Sequence, residues 1–282
     1  MEVSLGIEAS GYFTASDEYS LKIVPKEDGF QFSVISSESA ESASRKVRKT
    51  FIPHMVGALN LLGLGVWTGR EVCDGVYIEN SKRTGFTKIR VLKKDKEKVY
   101  IEIPNFEAIS LSNFLLSYFD IPYTYSFLNS LISISKENEA YYLITKSKDV
   151  TRELIFDRVG LGKLSGLLKE AVLGKLGKSR KVVSLRGYAI VDVEFKVFDE
   201  EKQEVVNELK NKVKELAQKQ NTYGIWIPML RNYLMKHNID YKTYVALRFG
   251  LKGSDRVYMV IPLPHAWGLS MCFDKLCLNL TT

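Results

Sequence analysis

Short runs in which apolar and polar residues alternate recur in the first hundred residues, and they constrain the fold more than any other feature of this chain. EVSLGIEA, YSLKIVP and FQFSVIS, within residues 2–36, place apolar side chains at every second position. That is the period of a strand with one buried and one solvated face. Residues 26–29 have turn chemistry and join the last two runs as a hairpin. Three more strands are expected at about 75–80, 86–93 and 98–103, the last two separated by the charged turn KKDKEK, and another at 139–146, EAYYLITK.

Helical signals lie between these runs. Ser36 or Ser37 is placed to cap a helix through SSESAESASRKVRKTFIPHMVGALNLLG, with acids in its first turn and a break near Pro53. Residues 106–134 carry apolar and aromatic residues at helical spacing and read as two helices interrupted at Pro122. SKDVTRELIFDRVG and GKLSGLLKEAVLGKLG read as two more, separated by Gly160 and Gly162. Residues 182–198 form the longest strand candidate, a hairpin or a bent strand with Gly187 at the irregularity. Asp199 then caps a helix whose apolar positions are Val205, Val206, Leu209, Val213 and Leu216. No internal repeat is visible. The expected fold class is α+β: a mixed β-sheet with packed helices over residues 1–198, then a winged-helix-like domain over 199–282.

At 282 residues and 45% hydrophobic content the chain has apolar material for about two domains, which excludes a wholly disordered protein. No run of about 18 apolar residues suggests a membrane span. MEVSLGIEAS lacks a basic segment ahead of an apolar one, and three cysteines are an odd count, so a cytoplasmic location is expected. Lys+Arg 40 against Asp+Glu 33 gives +7, a tilt toward a polyanionic partner. Lys-rich usage with little glutamine is that of a heat-adapted protein.

Residues 199–282 read as helix, helix, turn, helix and β-hairpin, an element order that resembles winged-helix domains. Asp240 would cap the recognition helix over 240–249, and the strands RVYMVIPL and GLSMCF would form the wing. The resemblance implies that Tyr241, Lys242, Thr243 and Arg248 lead into a groove while Lys252 and Arg256 meet phosphate. Arg231, Lys236 and His237 would lie along the backbone.

Residues 163–186 hold Lys163, Lys169, Lys175, Lys178, Arg180, Lys181 and Arg186 against a single acid, Glu170. Such a segment can follow a phosphate backbone with steep salt dependence. Arg45, Lys46, Arg48 and Lys49 make a second cluster, and a third spans residues 82–98, diluted by Asp95 and Glu97. Tyr118, Phe119, Tyr123, Tyr125 and Phe127 crowd around Pro122, where core filling outweighs base stacking.

Catalytic patterns are sparse. Asp192, Glu194 and Lys196 alternate in VDVEFK, as in metal-dependent nucleases of the PD-(D/E)xK type. The upstream acid such enzymes need is matched only loosely by Asp74, which lies far upstream with no preceding proline. His265, Cys272 and Cys277 have zinc-ligand chemistry but lack a fourth partner unless His237 folds in. The glycine-rich stretches 63–70 and 159–166 fit neither phosphate-loop pattern. His54, His237 and His265 have no acid at useful spacing, and no nucleophile motif occurs. The expectation is a non-catalytic nucleic-acid-binding protein, a DNA-binding subunit of a larger nucleic-acid-processing or defence complex. DNA or RNA and other proteins would be its partners, with no cofactor, no metal and no membrane. Two alternatives stand beside it: a nuclease using Asp192, Glu194 and Lys196, and a scaffold with an exposed apolar face on the helices of 106–134.

Overall fold

The computed structural model describes residues 11–16, 18–37, 42–93, 98–147, 150–172, 180–183, 190–199, 243–250 and 257–278. The chain forms two compact units, Met1–Phe119 and Asp120–Thr282. Among the described residues one pattern recurs four times: four antiparallel strands in sequential order, then a helix. The first unit holds β1 (Tyr12–Ala15), β2 (Tyr19–Lys26), β3 (Gly29–Ser36), β4 (Ser42–Arg48) and α1 (Ile52–Gly63). It continues with β5 (Arg70–Cys73), β6 (Val76–Asn80), β7 (Phe86–Leu92), β8 (Lys98–Pro104) and α2 (Asn105–Ser117). The second unit holds β9 (Tyr123–Phe127), β10 (Ser130–Glu137), β11 (Ala140–Ser147), β12 (Val150–Phe156) and α3 (Arg158–Val172). Its second sheet joins β13 (Arg180–Val183), β14 (Ile190–Asp199), β15 (Thr243–Phe249) and β16 (Val257–Pro262), followed by α4 (Leu263–Leu278).

In the first unit α1 is buried from Ile52 to Leu62, because it lies against α2 on one side and against β5, β6 and β7 on another. The two helices approach closely at Gly63, where a Cβ would meet the Asn105 carbonyl oxygen at 2.8 Å. Ser112 Oγ donates to the Val56 carbonyl at 3.0 Å across the same contact. Alternation on the strands supplies the rest of the core: Leu21 and Ile23, Phe30 and Phe32, Ile89 and Val91, Ile101 and Ile103. In the second unit Tyr123, Tyr125 and Phe127 alternate inward with Leu143, Phe156 and the buried side of α4. No helix among the described residues is long and apolar enough to cross a membrane.

Several expected elements are corrected. The region after Ser36 is strand β4 rather than the start of a helix, and Pro53 opens α1 instead of breaking it. A first-turn proline loses no intrahelical bond there. Beyond Pro122 the chain forms the hairpin β9–β10, since Tyr123, Tyr125 and Phe127 point one way and Thr124 and Ser126 the other. Residues 150–156 are strand β12, paired along β11, and α3 runs through both Gly160 and Gly162. Residues 182–198 fall in the hairpin β13–β14, as one of the two sequence readings had it, with Gly187 outside the described residues.

The winged-helix order is not what the structure shows. Residues 243–249 are a strand paired on both edges, with Val245, Leu247 and Phe249 all buried on one face. GLSMCF is not a wing strand but the middle of α4, whose buried residues Ala266, Leu269, Cys272, Phe273 and Leu276 recur at three and four. The expected helices at 200–221 and 224–236 lie outside the described residues. The repeated sheet-and-helix pattern, invisible in the sequence, appears only in the fold.

Candidate functional site

Sheet β5–β8 has one mainly apolar, buried face and one face of rings and charges. Cys73, Val76, Ile78, Ile89, Val91, Val99 and Ile101 are buried on the first. The opposite parity carries Arg70, Tyr77, Glu79, Lys88, Arg90, Lys98, Tyr100 and Glu102, a mixture of rings and charges, with Val72 and Leu92 among them. Register sorts them into rows across the strands. One row is Tyr77–Arg90–Tyr100, and the next is Arg70–Glu79–Lys88–Glu102.

Cations sit on both rings of the first row. Lys88 Nζ lies 3.6 Å from the Tyr100 ring centre, and Lys98 Nζ lies 4.3 Å from that of Tyr77. The Arg90 guanidinium is 5.4 Å from Tyr77 as well. Tyr100, 44% exposed, stacks on Tyr19 at 6.3 Å with 27° between the planes, which extends the aromatic row past the sheet edge. Cation and ring hold each other in place, and each pair is worth about 0.5–1 kcal/mol at an exposed site.

The electrostatics of the face are net positive. Arg70 Nε donates to Glu79 at 2.6 Å and Arg90 donates to the same carboxylate oxygen. Ser81 Oγ donates to Glu102 at 2.7 Å. Four cations thus stand against two carboxylates. Burial, helped by the neighbouring Arg90 and Arg70 charges, pulls the Lys98 ammonium below its ordinary range. Crowded like charges of this kind are relieved when an anion arrives.

The residues singled out from sequence are dispersed. Lys163 is exposed on α3, whereas Lys169 is tied to Asp274 of α4, which also accepts from Ser165 Oγ. Arg180 and Lys181 lie on β13, Thr243 opens β15, and Arg248 sits 5.8 Å from the Tyr258 ring on β16. Lys175, Lys178, Arg186, Tyr241, Lys242, Lys252 and Arg256 lie outside the described residues, as do Arg231, Lys236 and His237. Asp192, Glu194 and Lys196 alternate along β14 as expected, and register sets Asp192 opposite Lys181 and Glu194 opposite Arg248.

The second cluster is likewise engaged within the fold. Arg45 donates to the carbonyls of Leu92 and Lys93, Lys46 pairs with Asp28, and Arg48 makes a two-armed contact with Asp74 at 2.9 Å. Of the zinc candidates, His265 and Cys272 are core residues and Cys277 is half-buried. His265 shares a 2.9 Å hydrogen bond with the Tyr125 hydroxyl, and burial pushes its imidazole down to about 3, so it stays neutral. Burial also raises the Cys272 thiol, and among the described residues no group of three or more His, Cys, Asp or Glu is placed to hold a metal ion.

The sequence reading reached the cations of this face only as a diluted cluster and missed Arg70, Tyr77 and Tyr100. The available signal was the polar parity of three consecutive strands, where Tyr, Lys and Arg occupy positions that usually take Ser, Thr or Glu. Comparison with protein-family models, with curated proteins and with solved structures finds no match for this chain.

Proposed function

We propose that this chain is a non-catalytic nucleic-acid-binding protein and that the aromatic and basic face of β5–β8 is its binding surface. The observation that carries the reading is the Tyr77–Arg90–Tyr100 row, flanked by Lys88 and Lys98, on a face with four cations to two carboxylates. Rings offer stacking area and cations offer phosphate contacts, the two chemistries a nucleic-acid surface needs together. The net charge of +7 adds long-range attraction to a polyanion. Chemistry on the nucleic acid is not part of this reading.

Fluorescence anisotropy of labelled oligonucleotides across a salt series tests it. Binding is expected to weaken linearly in log–log form, and Lys88→Gln and Lys98→Gln are each expected to reduce the slope by about one. A flat signal at about 50 mM salt, where phosphate contacts are strong, rules the reading out.

A further inference from the structure

Resting on that reading, we infer that the ligand is a single strand running across β6, β7 and β8, whose unpaired bases take the ring faces of Tyr77 and Tyr100 that the Lys98 and Lys88 ammoniums cover in the free protein, with the Arg90 guanidinium between them. Three observations converge on this. First, the two tyrosines flank Arg90 in register on adjacent strands, so their Cα atoms lie two strand spacings apart, about 10 Å. Neighbouring bases in a duplex are about 3.4 Å apart along each strand, so two rings at this separation receive splayed bases rather than a continuous stack.

Second, the row lies within a four-stranded sheet whose outer strands are about 14 Å apart. A surface that broad does not enter a major groove about 12 Å wide, so the base edges of a duplex stay out of reach of Arg90 and the rings. In a duplex the faces of the bases are also covered by their neighbours, whereas unpaired bases expose them.

Third, cations stand in the aromatic row itself, as Arg90, and over its two rings. The next row is partly neutralised, with Glu79 held by Arg70 and Arg90. Lys88 and Lys98 remain at the rings themselves. A backbone following the row would thus meet a cation at each base position, and Tyr19 stacked on Tyr100 continues the track by one more ring.

The test uses the whole protein and three labelled ligands of about eight nucleotides: an unstructured single strand, the matching duplex, and an abasic strand that keeps phosphates but has no bases. The expected result is single-strand binding about tenfold tighter than either other ligand. Tyr77→Ala and Tyr100→Ala should each weaken it about tenfold while leaving the abasic strand unaffected, and Tyr77→Phe and Tyr100→Phe, which keep the ring, should bind like the parent. Melting curves of the variants check that the fold persists. If the abasic strand or the duplex binds as tightly as the base-bearing strand, or the alanine variants change nothing, the single-strand inference is overturned and nucleic-acid binding survives. If none of the three binds at low salt, both fall together.

Discussion

At the scale of single residues the most consequential group is Glu71, a carboxyl on the buried face of β5 at 1% exposure. Burial raises it to about 7, opposed by the nearby His54. A carboxyl with a folded-state value above its unfolded one holds its proton more tightly when folded. Its contribution to stability is therefore greatest below about pH 4.5 and is lost as pH rises toward 7. The loss is on the order of 3 kcal/mol for such a shift. Glu71→Gln removes the titration, so the variant should gain on the parent between pH 5 and pH 8 in paired thermal melts. Parallel pH profiles for the two proteins would refute this role. Nothing in the local sequence announces it, since REVCDG reads as an ordinary alternating strand and only the position of α1 decides which parity is inside.

At the scale of elements, α1 and α2 pack closely at Gly63. A methyl group at Gly63 would come within 2.6 Å of Ile109 Cγ1 and 2.8 Å of the Asn105 carbonyl oxygen. The second partner is backbone, so the helices must separate to admit it. Gly63→Ala should cost about 1–3 kcal/mol in urea denaturation; an unchanged midpoint would mean that the helices yield more easily than their packing implies. Which elements were legible follows from how one-sided their pattern is. The hairpin β2–β3 and strands β6, β7, β8, β11 and β16 show clear alternation or short apolar runs between turns, and sequence places them within a residue or two. Strand β15, TYVALRF, is apolar on both parities, so its period cannot separate strand from helix and pairing with β14 and β16 decides. Strand β4, SASRKVR, errs the other way, burying only Ala43 and Val47 and otherwise looking like a solvated helix.

At the scale of the molecule, the aromatic and basic face lies wholly within Met1–Phe119, a unit with its own pair of sheets and its own helix pair. Residues 1–119 expressed alone should therefore melt cooperatively and keep the single-strand affinity of the full chain within a few-fold. A fragment that folds but does not bind would move the binding surface to the second unit. Composition, strand periodicity and charge are local properties, and they sufficed for a strand-rich α+β protein with a basic balance. They sufficed as well for the hairpin β2–β3 and for strands β7 and β8, though not for the hairpin β9–β10, which reads as helix in the sequence. The row Tyr77–Arg90–Tyr100 is of another kind, because it joins three strands by hydrogen-bond register and turns one parity of each away from α1. Register and burial depend on which segments pair and which helix covers them, and those are decided only when distant parts of the chain share one core.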